Sequence, residues 1–269
     1  MVRDPAVAGQ FYPGSKESLI KELKSLTGRG SADIDAIGAM SPHAGYPYSG
    51  SVAGATIGSL KGKRHYIIIG PNHTGMGRPF GISSADSWKT PLGNALIDKP
   101  LADEIVRLSG YVKYDDLSCL AEHSVEVQIP FLQFLNKDFS FVPIIISYAD
   151  LDVYRSIGSG IAGAVKKLGL EKEATIIAST DMSHYEPSDT AKEKDGIAIK
   201  AILNLDESVL VKKVSELNIS MCGYAPVAIM IAAAKELGAT DAKLVRYSNS
   251  GDITGDYSSV VGYAGVIIR

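Results

Sequence analysis

Only two cysteines, Cys119 and Cys222, occur in the 269 residues. A secreted disulfide scaffold needs more of them at patterned spacing, so a reducing cytoplasm is the expected location. No basic stripe offsets a formal net charge of -3. Without one, neither a nucleic-acid backbone nor an anionic membrane surface is an expected partner. The start, MVRDPAVAGQFYPG, carries charge and proline where a signal peptide needs an apolar run. One uncharged stretch, residues 217–234, is long enough to raise the question of a membrane span. Asn218, Ser220, Gly223 and Pro226 interrupt it, which leaves a loop followed by a buried helix. No Walker loop, GxGxxG after a strand, GxSxG elbow or HExxH is present, so the corresponding nucleotide, hydrolase and zinc-protease readings have no motif to stand on. Repeats, low-complexity tracts and linkers are also missing.

What remains is ordinary globular composition, 45% hydrophobic and 21% charged. The length suits one α/β domain over 1–269, able to bury a large core. Continuous apolar, β-branched-rich runs at 37–40, 65–70, 141–147 and 175–180 read as strands buried on both faces, the pattern of a parallel sheet. Helices are expected after the N-cap Ser15, ending at Gly28, and at 51–60, 100–109, 121–135, 151–168, 188–204, 206–216 and 223–237. Residues 41–50, SPHAGYPYSG, read as a loop because of their glycines and prolines. Short strands and turns surround Trp88, and two final strands, 243–248 and 260–268, are expected to add antiparallel edges. Strands alternating with helices give a central, largely parallel or mixed sheet with helices on both faces.

Three of the five histidines share one setting. His43, His73 and His184 each stand a few residues past the C-terminal end of a buried-type strand, the edge at which open α/β sheets bind ligands. A single loop histidine simply faces solvent; three in the same setting point to a site. Cys222 precedes the helix that begins at Gly223. A helix N-terminus favours the thiolate, the form that binds metal or attacks substrate, so a lowered thiol pKa and sensitivity to oxidation are expected. The alternative is an inert buried cysteine, the reading given to Cys119. In Ala121–Glu126, read as the opening of a helix, Glu122 and Glu126 share a face while His123 lies on another. Glu122 and His123 read as structural or as support behind a site, and as residues a bound substrate could touch. His65, at a strand start, reads as structural.

Several multi-residue motifs occur in order along the chain: Asp4-Pro-Ala-Val-Ala-Gly-Gln-Phe-Tyr-Pro13, Ser41-Pro-His-Ala-Gly-Tyr-Pro-Tyr-Ser-Gly50, Gly70-Pro-Asn-His-Thr-Gly75, Glu122-His-Ser-Val-Glu126, Ser179-Thr-Asp-Met-Ser-His-Tyr185 and Cys222-Gly-Tyr-Ala-Pro226. Together they resemble the Memo family over essentially the whole chain. The resemblance implies one α/β domain similar to the class III extradiol ring-cleaving dioxygenases, which hold non-haem Fe(II) with two histidines and a carboxylate. It implies His43 and His73 as the histidine ligands and His184 as the acid/base histidine, with Asp181 beside it. Cys222 falls where those dioxygenases have a glutamate, a departure that speaks against ring cleavage. Two histidines and a thiolate suit Cu(I) and Zn as well as Fe. The family is linked with iron or copper and redox chemistry. Its animal members are described as binding phosphotyrosine peptides in cell motility, and microbial members are associated with AMMECR-type and radical-SAM proteins.

The leading expectation is therefore an oxidoreductase-like protein in which iron or copper is held by His43, His73 and Cys222. His184 moves a proton; Asp181 orients His184 or accepts a substrate hydrogen bond. Phe11, Tyr46 and Tyr48 are expected to wall an aromatic pocket for a small molecule or peptide. The rivals are a silent binding module for phosphorylated or carboxylate ligands, and a metal storage or delivery protein.

Overall fold

Runs of apolar, mostly β-branched residues build the centre of the molecule. A computed structural model describes residues 1–27 and 33–269. In chain order the elements begin with β1 (Val2–Arg3), α1 (Lys16–Leu26), β2 (Gly38–Ser41), α2 (Tyr46–Ile57), β3 (His65–Pro71), β4 (Phe80–Ile82), β5 (Ser87–Thr90) and β6 (Gly93–Ile97). Next come α3 (Lys99–Ser109), β7 (Lys113–Tyr114), α4 (Asp116–Leu120), α5 (Ile129–Leu135), β8 (Ser140–Ile146), α6 (Leu151–Lys167), β9 (Ala174–Ser179) and β10 (His184–Glu186). The chain ends with α7 (Ser188–Leu203), α8 (Glu207–Glu216), α9 (Tyr224–Glu236), β11 (Ala242–Asn249), α10 (Gly251–Thr254) and β12 (Val260–Ile268). The side chain of Ser15 caps α1 as expected; the expected stop at Gly28 lies outside the described residues.

One mixed sheet runs β1-β5-β6-β8-β3-β9-β2-β12-β10, with β11 on β12, β4 on β8 and β7 on β4. From β6 through β8, β3 and β9 to β2, every pairing is parallel. β12 is not an edge strand: it pairs antiparallel with β2 and also with β11 and β10. Side chains alternate between the two faces. Ile67 and Ile69 of β3 join Val142, Ile144 and Ile146 of β8 in a core with Leu101 of α3, Ile157 of α6 and Val227 of α9. Tyr66 and Ile68 join Phe141 and Ile145 in a second core with Leu23 of α1, Ile57 of α2 and Phe131 of α5. Each such isoleucine, fully buried, contributes about 1.5–3 kcal/mol, so both helical layers are firmly held on the sheet. Among the described residues no helix is long and apolar enough to cross a membrane; the uncharged stretch is a turn followed by most of α9, which packs on α6 and β9.

Two expectations fail here for identifiable reasons. The segment 41–50 is not all loop, because α2 already starts at Tyr46. Pro47 lies in its first turn, where a missing N–H costs nothing. Residues 121–135 do not form one helix. α4 ends at Leu120, an irregular turn with one 3₁₀ step at Glu126–Gln128 comes next, and α5 starts at Ile129. In one continuous helix, Pro130 would lack a needed N–H and clash with the carbonyl of Glu126. In the first turn of α5 it does neither.

Candidate metal centre

Parallel neighbours end at the same edge, so the order β3-β9-β2 gathers the three loops that leave these strands. His73 lies two residues beyond β3, Asp181 two beyond β9 and His43 two beyond β2. Cys222 reaches the same edge because the chain enters α9 there. Gly223 is needed for that approach: a Cβ would stand 2.5 Å from the carbonyl oxygen of Ser179.

Hydrogen bonds fix which nitrogen of each ring carries the proton. The Ser179 hydroxyl lies 2.6 Å from the Ser124 carbonyl, which can only accept, so its proton is committed there. It therefore accepts from His43 Nδ1 at 3.0 Å and from Gln128 Nε2 at 2.8 Å. The lone pair of His43 is left on Nε2, which faces Cys222 Sγ at 3.2 Å. His73 Nδ1 donates to Glu122 Oε1 at 2.9 Å, and the His73 backbone N–H donates to Oε2 at 2.6 Å. Its Nε2 is free in the same way. This is the carboxylate–histidine pairing that commonly orients a metal-binding imidazole. His43, His73 and Cys222 each present one ligand atom, all within 4.8 Å of one another. A cation about 2.0–2.3 Å from each donor requires donors spaced roughly 3–4 Å apart, within reach of small side-chain movements.

Electrostatics suit the same use. Burial first, then the neighbouring His73, His123 and His184, hold His43 well below its usual pKa, so the ring is neutral. Burial opposes ionisation of Glu122, but the hydrogen bond and charge of His73 and the Ser124 N–H outweigh it and bring the carboxyl down to about 2. Cys222 contradicts its expectation. Burial, helped by the charge of Asp181, pushes its thiol up to about 12. A helix N-terminus is worth at most about 2 kcal/mol, too little to offset desolvation. The Asp181 N–H nevertheless points at Sγ from 3.3 Å, and a bound cation would displace the thiol proton.

The other expected residues take varied places. His184 donates Nδ1–H to the Ser220 carbonyl at 2.9 Å, leaving the Nε2 lone pair free; when protonated, the ring lowers the pKa of both His43 and Asp181. The next residue, Tyr185, sits at φ 59°, a strained conformation for a bulky side chain. Asp181 does not hydrogen-bond to His184. Its Oδ1 accepts the His43 and Ala44 N–H groups at 2.8 and 3.3 Å, so it orients the His43 turn. Burial raises its pKa. Glu122 is fully buried behind His73, a supporting position out of a substrate's reach. Tyr46 is no pocket wall: it is buried against Tyr12 and Phe131, with its hydroxyl donating to the Val127 carbonyl. Tyr48 is exposed. Phe11 lies 4.8 Å from the His123 ring.

His123 belongs closer to the site than its sequence setting suggested. Its ring stands 4.6 Å from His73 and 5.5 Å from His43. With the helix reading of 121–135 removed, the signal was Pro130, which forces an irregular turn ahead of it. That turn sends Glu122 to His73, the Ser124 carbonyl to Ser179, and Gln128 to both Ser179 and the Pro42 carbonyl. Outside the cluster, His65 pairs with Asp98 at 2.5 Å, and Cys119 is buried. Replacing Glu122 with glutamine keeps the shape but removes the charge behind His73. Zinc affinity, read by competition with a chromophoric chelator, is expected to fall about 10- to 100-fold; an unchanged affinity in a folded variant would remove Glu122 from the centre.

The Memo family model, described as Memo-like protein, matches residues 3–267. A MEMO1 family protein of Methanosarcina barkeri is 44% identical over 270 residues, covering 100% of both chains. One from Aquifex aeolicus is 42% identical over 268 residues, covering 99% of this chain and 98% of its own. Among solved structures, an uncharacterized Escherichia coli K12 protein matches with a TM-score of 0.58 at 14% identity, over 86% of this chain and 98% of that one, a likeness of fold. A full-length family match, and relatives above 40% identity that run from end to end, place this chain in the Memo family.

Proposed function

We propose that this chain is a transition-metal-binding, oxidoreductase-like protein whose cation is iron or copper, with zinc an alternative. The observation that carries the reading is one cluster: His43 Nε2, His73 Nε2 and Cys222 Sγ converge while hydrogen bonds hold both rings in the metal-binding tautomer. When bound, such a cation supplies redox and Lewis-acid chemistry to an oxygen-bearing ligand. The chain's own part is to aim the two imidazoles, to hold the His43 turn through Asp181, and to move a proton at Nε2 of His184. The likeness to ring-cleaving dioxygenases belongs to this reading, with a thiol in place of their carboxylate.

An anion-binding module fits less well. His43 is held neutral, and the ionised Glu122 lies directly behind His73, so the cluster offers an anion little positive charge. Elemental analysis of protein purified without oxygen tests the proposal. About one equivalent of iron or copper per chain is expected, falling to background when both His43 and His73 are replaced by alanine. No metal under any loading condition would remove the reading. Stoichiometric metal without turnover on any substrate would leave storage or delivery as the function.

A further inference from the structure

The N-terminal motif of residues 4–13 has no part in the metal reading, yet it wraps around one buried carboxylate. Glu126 is fully buried. Its Oε2 accepts from Arg3 Nη1 at 2.6 Å and the Ala6 N–H at 2.8 Å; its Oε1 accepts from the Val7 N–H at 3.1 Å and the Tyr12 hydroxyl at 2.7 Å. All four donors come from one short segment. Arg3 lies 4.0 Å over the Trp88 ring and donates to two further carbonyls at 2.7 Å each, those of Cys119 and Glu122. It therefore grips the 121–128 turn at both ends, at the Glu122 carbonyl and at the Glu126 carboxylate. Glu122 is the residue that orients His73.

The far end of the segment reaches the site directly. The Phe11 carbonyl accepts the Tyr46 N–H at 2.7 Å, and its ring lies against His123. His123 has no ring hydrogen bond among the described residues; its Nδ1 stands 3.5 Å from Glu122 Oε1 without one. The rings of Phe11, His73 and His43 pack around it.

We propose that residues 3–12 are a positioning element of the histidine cluster: Arg3 and Glu126 set the Glu122 turn, and so the tautomer and aim of His73, while Phe11 sets His123. The purpose of this element rests on the metal reading, but its test does not need a metal. A segment that only fastened the fold would alter stability and leave ring tautomers alone.

The test is long-range proton–nitrogen NMR of the histidine rings in the metal-free full chain. Arg3→Lys keeps a cation beside Glu126 but cannot donate to the carboxylate and both carbonyls at once. In folded Arg3→Lys, His73 is expected to exchange between tautomers, whereas His43, held by Ser179, keeps the Nδ1–H form. Zinc affinity should fall about 10-fold. Phe11→Ala leaves the Arg3–Glu126 pair intact, so His73 should keep its Nδ1–H tautomer while the signals of His123 shift and broaden. An unchanged His73 in folded Arg3→Lys, or an unchanged His123 in Phe11→Ala, overturns the corresponding half of the proposal. Should Arg3→Lys not fold, Phe11→Ala still decides whether the segment reaches the site. Failure of the wild type to bind zinc, iron or copper would count against the metal reading alone and leave the tautomer result standing.

Discussion

Cys222→Ser is expected to weaken the binding of soft ions by on the order of a hundredfold. A four-ligand zinc site gains roughly 10–16 kcal/mol, about 3 kcal/mol per ligand, and that is about a factor of a hundred in affinity. Serine keeps the shape but offers a neutral hydroxyl, so Cu(I), which prefers sulfur, should lose most. Cys222→Glu should behave differently. It supplies two histidines and a carboxylate, a set that suits Fe(II), and should move preference from copper toward iron. The sign of the pH effect comes from the thiol. In the metal-free protein burial holds Cys222 protonated up to about 12, so metal must displace that proton. Native affinity should rise with pH throughout the neutral range, and the serine variant should lose that part of the slope. The same protonation makes the metal-free thiol slow to oxidise, contrary to the expectation of a reactive thiolate. Anaerobic titration of copper and Fe(II) into the native, serine and glutamate proteins measures all of this. Equal affinities in the three would falsify the assignment and return Cys222 to the status of a packed core cysteine.

His184→Ala should do the opposite: metal content stays nearly intact while turnover falls by about 10²- to 10⁴-fold, the usual loss when a general acid or base is removed. His184 lies outside the set of three converging ligand atoms. Its Nδ1–H is tied to the Ser220 carbonyl, which leaves Nε2 able to take a proton but gives the neutral ring nothing to donate there. It should therefore act first as a base. The measurement pairs elemental analysis with whatever dioxygen- or substrate-consuming turnover the loaded native protein supports. Loss of the metal itself in this variant would make His184 a ligand and the proton-transfer role wrong.

Strands β3, β8 and β9 were legible because buried parallel strands demand unbroken apolar runs, and Tyr66–Ile69 or Thr175–Ala178 admit few other readings. The same logic led from the strand-end setting of His43, His73 and His184 to one edge of the sheet, where His43 and His73 lie two residues beyond β2 and β3. Two features resisted. Apolar spacing at Val125, Ile129 and Leu132 mimics a helical stripe, and it hid the turn whose irregular backbone aims Glu122, Glu126 and Gln128 in different directions. The acidity of Cys222 also resisted. Position before a helix is visible in sequence, but the desolvation that overrules it depends on how Thr180 and Asp181 enclose the sulfur. Tyr46 erred in the same direction: an aromatic next to a binding loop was read as pocket lining, and packing made it core.

The place of β2 carries a consequence for biosynthesis. Its neighbours are β9 on one side and β12 on the other, with Met40 opposite both Ala178 and Val266. Nothing made in the first half of the chain can complete that strand. At roughly 5–20 residues per second, Met40 waits about 10 to 45 seconds for Val266. Through that interval the strand that delivers His43 lacks its β12 partner, and contacts this distant in sequence form slowly. The sulfur of Cys222, 179 residues after His43, also leaves the ribosome late. The full ligand set can therefore exist only once Cys222 has emerged, and a nascent chain stalled before residue 260 should expose the β12 side of β2 and behave as a chaperone client.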